Sequence, residues 1–163
     1  MKRPEQKLLD VLKDYKLSIA FAESMTCGMA AMKLGNVSGT SAVLEGGIVC
    51  YDPKVKTGLL KIPQRMIEKY TAESQQVTDA LAKNLSRIIK SEVSVAITGL
   101  AAPGGSESKQ KPVGTVFISV FMNGKVYRER KKFNGSPLTI KEKACSQLFS
   151  FTVKILKKSR NKD

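Results

Sequence analysis

The sequence predicts an α/β fold, a three-layer α/β/α sandwich around a mixed, mostly parallel sheet, from three observations. Helical and strand-like apolar periods alternate through the early part of the chain. Asn123-Gly124 then sits between two strand-like runs, a strong signal for a tight antiparallel hairpin. The chain closes on a helix with an apolar stripe at Ile140, Ala144, Leu148, Phe151 and Ile155. Alternation implies parallel strands joined by helices, the hairpin adds antiparallel strands, and such a sheet is covered on both faces. With 163 residues and neither repeat nor linker, one domain is expected over residues 1–163. Lys157, Lys158, Arg160 and Lys162 read as a basic, frayed tail from about residue 157.

Each element has a local reason. Leu8, Leu9, Val11 and Leu12 give a first helix its inner side, and Leu17-Ser18-Ile19-Ala20-Phe21-Ala22 reads as a buried strand that stops abruptly. Glu23 to Gly28 opens a second helix through Ala30, Ala31 and Leu34, ending near Gly35-Asn36, so Ser24 stands at a strand-to-helix turn. Ala42 to Tyr51 is extended, with Gly46-Gly47 marking a bulge. Asp52 suits an N-cap and Pro53 a first helical position, which starts a short helix carrying Lys54, Val55 and Lys56. Val77, Leu81, Leu85, Ile88 and Ile89 keep helical spacing behind the cap candidate Ser74, and Val93 to Ile97 is a strand ending at Thr98-Gly99. Leu100 to Val113 contains Pro103-Gly104-Gly105, a long loop of the kind that carries function. Gly114 to Met122 and Lys125 to Phe133 are the hairpin strands.

Composition narrows the function classes. Apolar residues make up 42% and charged residues 26%, as in soluble globular chains. No apolar run approaches the roughly 20 residues that span a bilayer, and the N-terminus has no signal-peptide pattern. Cys27, Cys50 and Cys145 are odd in number and widely spaced, which reads as reduced thiols and a cytoplasmic location. The net charge is +14, and residues 124–163 carry twelve Lys or Arg against three acids. That excess admits nucleic acid, an anionic substrate or merely a lysine-rich sequence. Aromatic residues do not interleave the charges and no RNA- or DNA-binding signature appears, so specific nucleic-acid recognition is disfavoured.

The absence of histidine is the sharpest negative fact. It removes serine-histidine triads, cysteine-histidine pairs and most zinc sites together. The dinucleotide glycine fingerprint and the P-loop pattern are absent as well. A nucleophile here needs another activator, and lysine is the best-attested substitute.

Ser24 is the first candidate, since a helix start offers unpaired amides and a partial positive charge for an oxyanion. The same position also suits a plain N-cap, and Ala72-Glu73-Ser74 repeats the tripeptide Ala22-Glu23-Ser24 without a strand before it, where only a cap is read. Lys56 serves as base only when neutral. Lowering a lysine from about 10.4 to near 7 means about 4–5 kcal/mol of differential destabilisation, which a dry pocket with positive potential supplies. Its bland alternative is one more solvated lysine among 28 basic residues. Cys27 is a rival nucleophile one turn along, though a small buried thiol is its more ordinary role.

Taken in order, Ala22-Glu23-Ser24-Met25-Thr26-Cys27-Gly28, Gly39-Thr40-Ser41, Gly46-Gly47, Tyr51-Asp52-Pro53-Lys54-Val55-Lys56, Thr98-Gly99-Leu100-Ala101-Ala102-Pro103-Gly104-Gly105 and Lys111-Pro112-Val113-Gly114-Thr115-Val116 resemble the CinA C-terminal domain family over about residues 5–155. The resemblance implies a stand-alone nicotinamide-nucleotide amidohydrolase that converts nicotinamide mononucleotide to nicotinate mononucleotide and ammonia, in pyridine nucleotide salvage. It implies a serine-lysine mechanism falling on Ser24 and Lys56, with Tyr51 assisting and helix N-terminal amides holding the oxyanion. The substrate set it implies is Thr26, Gly28, Gly47, Thr98, Gly99, Gly104, Gly105 and Lys141. The partners expected are a small-molecule nucleotide and other copies of the same chain, without metal, redox cofactor or membrane. Cys27 and Ala102 replace family glycines, while Pro137 and Lys141 replace family arginines that serve the substrate. A lysine meets a phosphate as a point charge without the bidentate fork, so altered substrate binding is expected. A silent or substrate-shifted member that still binds a nucleotide is the second reading, and a basic nucleic-acid module the third.

Overall fold

The computed structural model describes residues 2–160. Five strands form one sheet: β1 (Ile19–Glu23), β2 (Leu44–Val49), β3 (Val93–Gly99), β4 (Thr115–Met122) and β5 (Lys125–Lys132), in spatial order β2, β1, β3, β4, β5. β1 pairs in parallel with both β2 and β3, and β4 runs antiparallel to β3 and β5. The helices are α1 (Pro4–Tyr15), α2 (Met29–Gly35), α3 (Pro53–Gly58), α4 (Gln64–Tyr70), α5 (Gln75–Ile88) and α6 (Pro137–Arg160), with a single 3-10 turn at Thr40–Ala42. Mixed sheet and two helical layers match the expected sandwich.

Side-chain alternation along the inner strands builds both layers. Ile19, Phe21, Val93, Val95 and Ile97 join the core under α1, α2 and α6, where Phe21 meets Phe149 edge to face at 6.4 Å. The opposite face carries Ala20, Ala22 and Ala96, small residues that pack with Leu60, Val77, Leu81 and Leu85 in the layer of α3 to α5. Among the described residues no helix is long and apolar enough to cross a membrane.

Local chemistry fixed most elements as expected. Asn123 and Gly124 both take left-handed φ values of 50° and 72°, the backbone of a two-residue hairpin. Register shifts by one residue between Leu44 and Gly46, which makes Glu45 the extra residue, immediately before the double glycine where a bulge was expected. Asp52 caps α3 by accepting from the Lys54 amide at 2.7 Å. Ser74 caps α5 through the Val77 amide at 3.3 Å.

Three expectations need correction. α2 opens at Met29 rather than at Glu23, because Cys27 and Gly28 turn left-handed at φ 54° and 92° and break the helical path. That turn carries Cys27 out to the surface, so its thiol is exposed and not buried. The basic tail is not frayed where it is described: Lys157, Lys158 and Arg160 continue α6, and the Arg160 guanidinium lies 4.4 Å over the Tyr15 ring. Lys162 lies outside the described residues.

Candidate active site

Topology gathers the chemistry at one edge of the sheet. β1, β2 and β3 are parallel, so the segments after them, Ser24, Cys50 to Lys56 and the Gly99 loop, leave side by side at the carboxyl edge. β5 ends at that edge too, because Thr115 pairs with Lys132 beside the Gly99–Val116 pair. The start of α6 therefore arrives there as well.

Ser24 closes β1 with its amide bonded to the Ile97 carbonyl at 3.0 Å, and the residue is 5% exposed. Lys56, on α3, is fully buried, and its Nζ donates to Ser24 Oγ at 3.1 Å. The other two ammonium directions meet the carbonyls of Cys50, at 2.5 Å, and Tyr51, at 3.1 Å. Burial pushes the Lys56 pKa below the ordinary lysine value, opposed first by Cys50 and then by the carboxylates of Glu73 and Asp52. Desolvation alone does the lowering, so the positive potential expected to help is replaced by opposing carboxylates. Burial also raises the thiols of Cys50 and Cys145, to about 11 and about 12.

The helix-start amides expected to hold an oxyanion are already taken. Glu23, itself 2% exposed, accepts from the Ala30 and Ala31 amides through its two carboxylate oxygens at 3.0 and 2.9 Å. Ser24 is therefore not the N-cap of α2. The Met25 amide, next along the chain, has no hydrogen-bond partner among the described residues.

A cleft of about 330 Å³ opens over Ser24. Of the residues singled out in the sequence, Ser24, Tyr51, Gly99, Gly104, Gly105 and Lys141 line it. Tyr51 is 65% exposed and offers the dyad its carbonyl; its phenol makes no hydrogen bond to Ser24 or Lys56. Gly99 admits no side chain, since a Cβ there would stand 2.5 Å from the Thr115 carbonyl oxygen and 2.6 Å from Met25 Sδ. Lys56, buried behind Ser24, is not part of the lining, and four substrate candidates also stand outside it. Thr98 is buried with its hydroxyl 2.8 Å from that of Thr78. Thr26 is buried beside the turn with its hydroxyl unpartnered. Gly28 caps α2, and a Cβ at Gly47 would stand 3.0 Å from the Phe21 carbonyl oxygen.

Sequence reasoning missed Glu73 and Pro53, which also line the cleft. Glu73 stands in the tripeptide read as a plain cap; that reading holds for Ser74 but overlooks its neighbour. No local signal marks it, because only the packing of α5 against β3 brings the α4–α5 junction to this edge. Among the described residues, no group of three or more His, Cys, Asp or Glu has the makeup of a metal site.

The model of the CinA C-terminal domain family matches residues 1–156. The chain is similar to a CinA-like protein of Pseudothermotoga lettingae, 38% identical over 116 residues, which are 71% of this chain and 28% of that protein. It is also similar to a CinA-like protein of Thermosipho melanesiensis, 36% identical over 141 residues, 85% of this chain and 35% of that protein. The chain thus spans about a third of the length of these curated relatives. The solved structure of a competence-damaged protein (CinA) superfamily protein from Enterobacter cloacae superposes with a TM-score of 0.88 at 29% identity, covering 94% of this chain and 90% of that one. On the family model and these relatives, the chain belongs to the CinA C-terminal domain family.

Proposed function

We propose that this protein is a serine-lysine amidohydrolase that deamidates nicotinamide mononucleotide to nicotinate mononucleotide and ammonia. The observation that carries the reading is the buried Lys56 amine at 3.1 Å from Ser24 Oγ, with both its other hydrogen-bond directions filled by carbonyls. A neutral amine held this way spends its two N–H groups on Cys50 and Tyr51. Its lone pair is left facing the Ser24 hydroxyl.

Lys56 takes the hydroxyl proton as Ser24 Oγ attacks the carboxamide carbon. The carbonyl oxygen becomes an oxyanion, for which the unpartnered Met25 amide is one available donor, at the position that follows the nucleophile in a strand-to-turn elbow. Lys56 returns the proton to the departing nitrogen, ammonia leaves, and an acyl ester on Ser24 remains. Water, deprotonated by Lys56, cleaves that ester and restores the hydroxyl. Lys141 at the cleft wall offers the phosphate a point charge.

The test is ammonia release from nicotinamide mononucleotide, with mass spectrometry of the quenched enzyme to find the acyl group. Acylation at Ser24, absent from Ser24→Ala, is expected. No release by the wild-type chain, or full release by Ser24→Ala, refutes the reading.

A substrate-shifted member is the second reading, favoured by Pro137 and Lys141 lining the cleft where the resemblance implies arginines. Pro137 opens α6 with an exposed side, so an arginine fits there without displacing core. Pro137→Arg is expected to leave kcat/KM unchanged or raise it several-fold by adding a phosphate contact. A tenfold loss in steady-state kinetics would contradict this placement of the segment.

A further inference from the structure

Among the described residues Glu73 is the sole carboxylate lining the cleft, and Lys141 the sole cation. Glu73 Oε2 accepts from the Ser106 hydroxyl, while Oε1 has no hydrogen-bond partner among the described residues. Among the described residues no cation lies within ion-pair distance of this carboxylate. Lys111 is close, but its ammonium is spent on Thr71 Oγ1 at 2.5 Å, the Glu73 carbonyl at 2.9 Å and Ser106 Oγ at 2.6 Å. Lys111 thus fixes both the backbone of Glu73 and the hydroxyl that holds its side chain, without pairing with the carboxylate. One oxygen of this half-buried carboxylate is left free at the cleft, placed to meet a cation that enters from outside.

We infer that Glu73 is a specificity-determining residue whose carboxylate seats the positively charged, ring-nitrogen-substituted pyridinium of the amide substrate. The inference deepens the amidohydrolase reading and rests on it. Such a substrate carries a cationic ring beside the scissile carboxamide and an anionic phosphate at its far end. The cleft presents one fixed charge of each complementary sign. Recognition by charge also bears on the base. Glu73 is one of the groups that hold Lys56 toward its charged form against the effect of burial. A cation seated on Glu73 offsets that influence, so binding the right substrate favours the neutral amine that the chemistry needs. A neutral amide of the same shape gains neither the contact nor the activation.

The experiment uses the full chain with Ser24→Ala, which cannot turn over, and calorimetric titration with two probes. One is nicotinamide mononucleotide. The other is its reduced form, which keeps the phosphate and carboxamide but has an uncharged dihydropyridine ring. Adding Glu73→Gln retains an oxygen for Ser106 and removes the charge. Affinity for the cationic probe is expected to fall about tenfold, and that for the neutral probe to change by less than about twofold. Equal losses, no loss for the cationic probe, or failure of the Ser24→Ala chain to bind that probe overturns the assignment. The amidohydrolase reading is scored apart by wild-type ammonia release. Charge-selective binding without release refutes the reaction and leaves Glu73 as the determinant of a cationic ligand.

Discussion

Lys56→Met is expected to reduce amide hydrolysis by about 10³-fold or more while the chain stays folded, because it removes the base and keeps much of its volume. Lys56→Arg separates two roles. A guanidinium keeps a cation near Ser24 but does not release its proton, so an essential base predicts a comparable loss and a mere electrostatic anchor predicts partial activity. The pH profile carries the same information. In the proposed mechanism the neutral amine is the working form, so kcat/KM is expected to climb with pH and level off once Lys56 is deprotonated, at a pH below the ordinary lysine value of 10.5 because burial disfavours the ammonium. A rate independent of pH across the neutral and alkaline range would rule Lys56 out as the base. Stability follows the same site with a fixed sign. Between the depressed folded pKa and the unfolded value near 10.5 the unfolded chain binds more protons, so wild-type stability rises with pH across that window. In Lys56→Met this contribution to the slope disappears, which denaturant titrations at several pH values measure.

How much of this was legible in the sequence depended on the range over which each feature is determined. Asp52-Pro53, Ser74, Asn123-Gly124 and the α6 stripe act within one or two turns of chain, and each appears where its chemistry placed it. α4 went unread because it buries no residue fully and so leaves no apolar stripe. The opening of α2 was misplaced because Cys27 gives no sign of the left-handed φ it adopts; a glycine there would have given one. Ile88 keeps the helical spacing yet is 43% exposed, since α5 ends there and its inner face ends with it. The site divides in the same way. The position of Ser24 follows from the abrupt end of an apolar strand. The burial of Lys56 and the presence of Glu73 depend on which strand ends stand next to each other, and that is settled by sheet order.

Glu23→Ala is expected to destabilise the fold by about 3 kcal/mol, more than a surface carboxylate is worth, because two charge-assisted hydrogen bonds are lost together in a buried setting. The Ala30 and Ala31 amides belong to the first turn of α2 and have no intrahelical acceptor; Glu23 reaches them from seven and eight residues upstream. With the carboxylate gone, those amides are left unpaired where water has little room. Glu23→Gln retains one acceptor oxygen but turns an N–H₂ toward the second amide, so a smaller loss of about 1–2 kcal/mol follows. Equal denaturation midpoints for wild type and Glu23→Ala would show that the cap contributes nothing. A loss of activity is expected as well, from chain geometry. The Glu23 carbonyl accepts from the Cys50 amide at 2.8 Å, and the Cys50 carbonyl in turn receives Lys56 Nζ. One residue thus fixes the turn that carries Ser24 through its side chain and the peptide that orients Lys56 through its backbone. Replacing the side chain loosens the first and spares the second, so kcat should fall while the alkaline rise set by Lys56 remains.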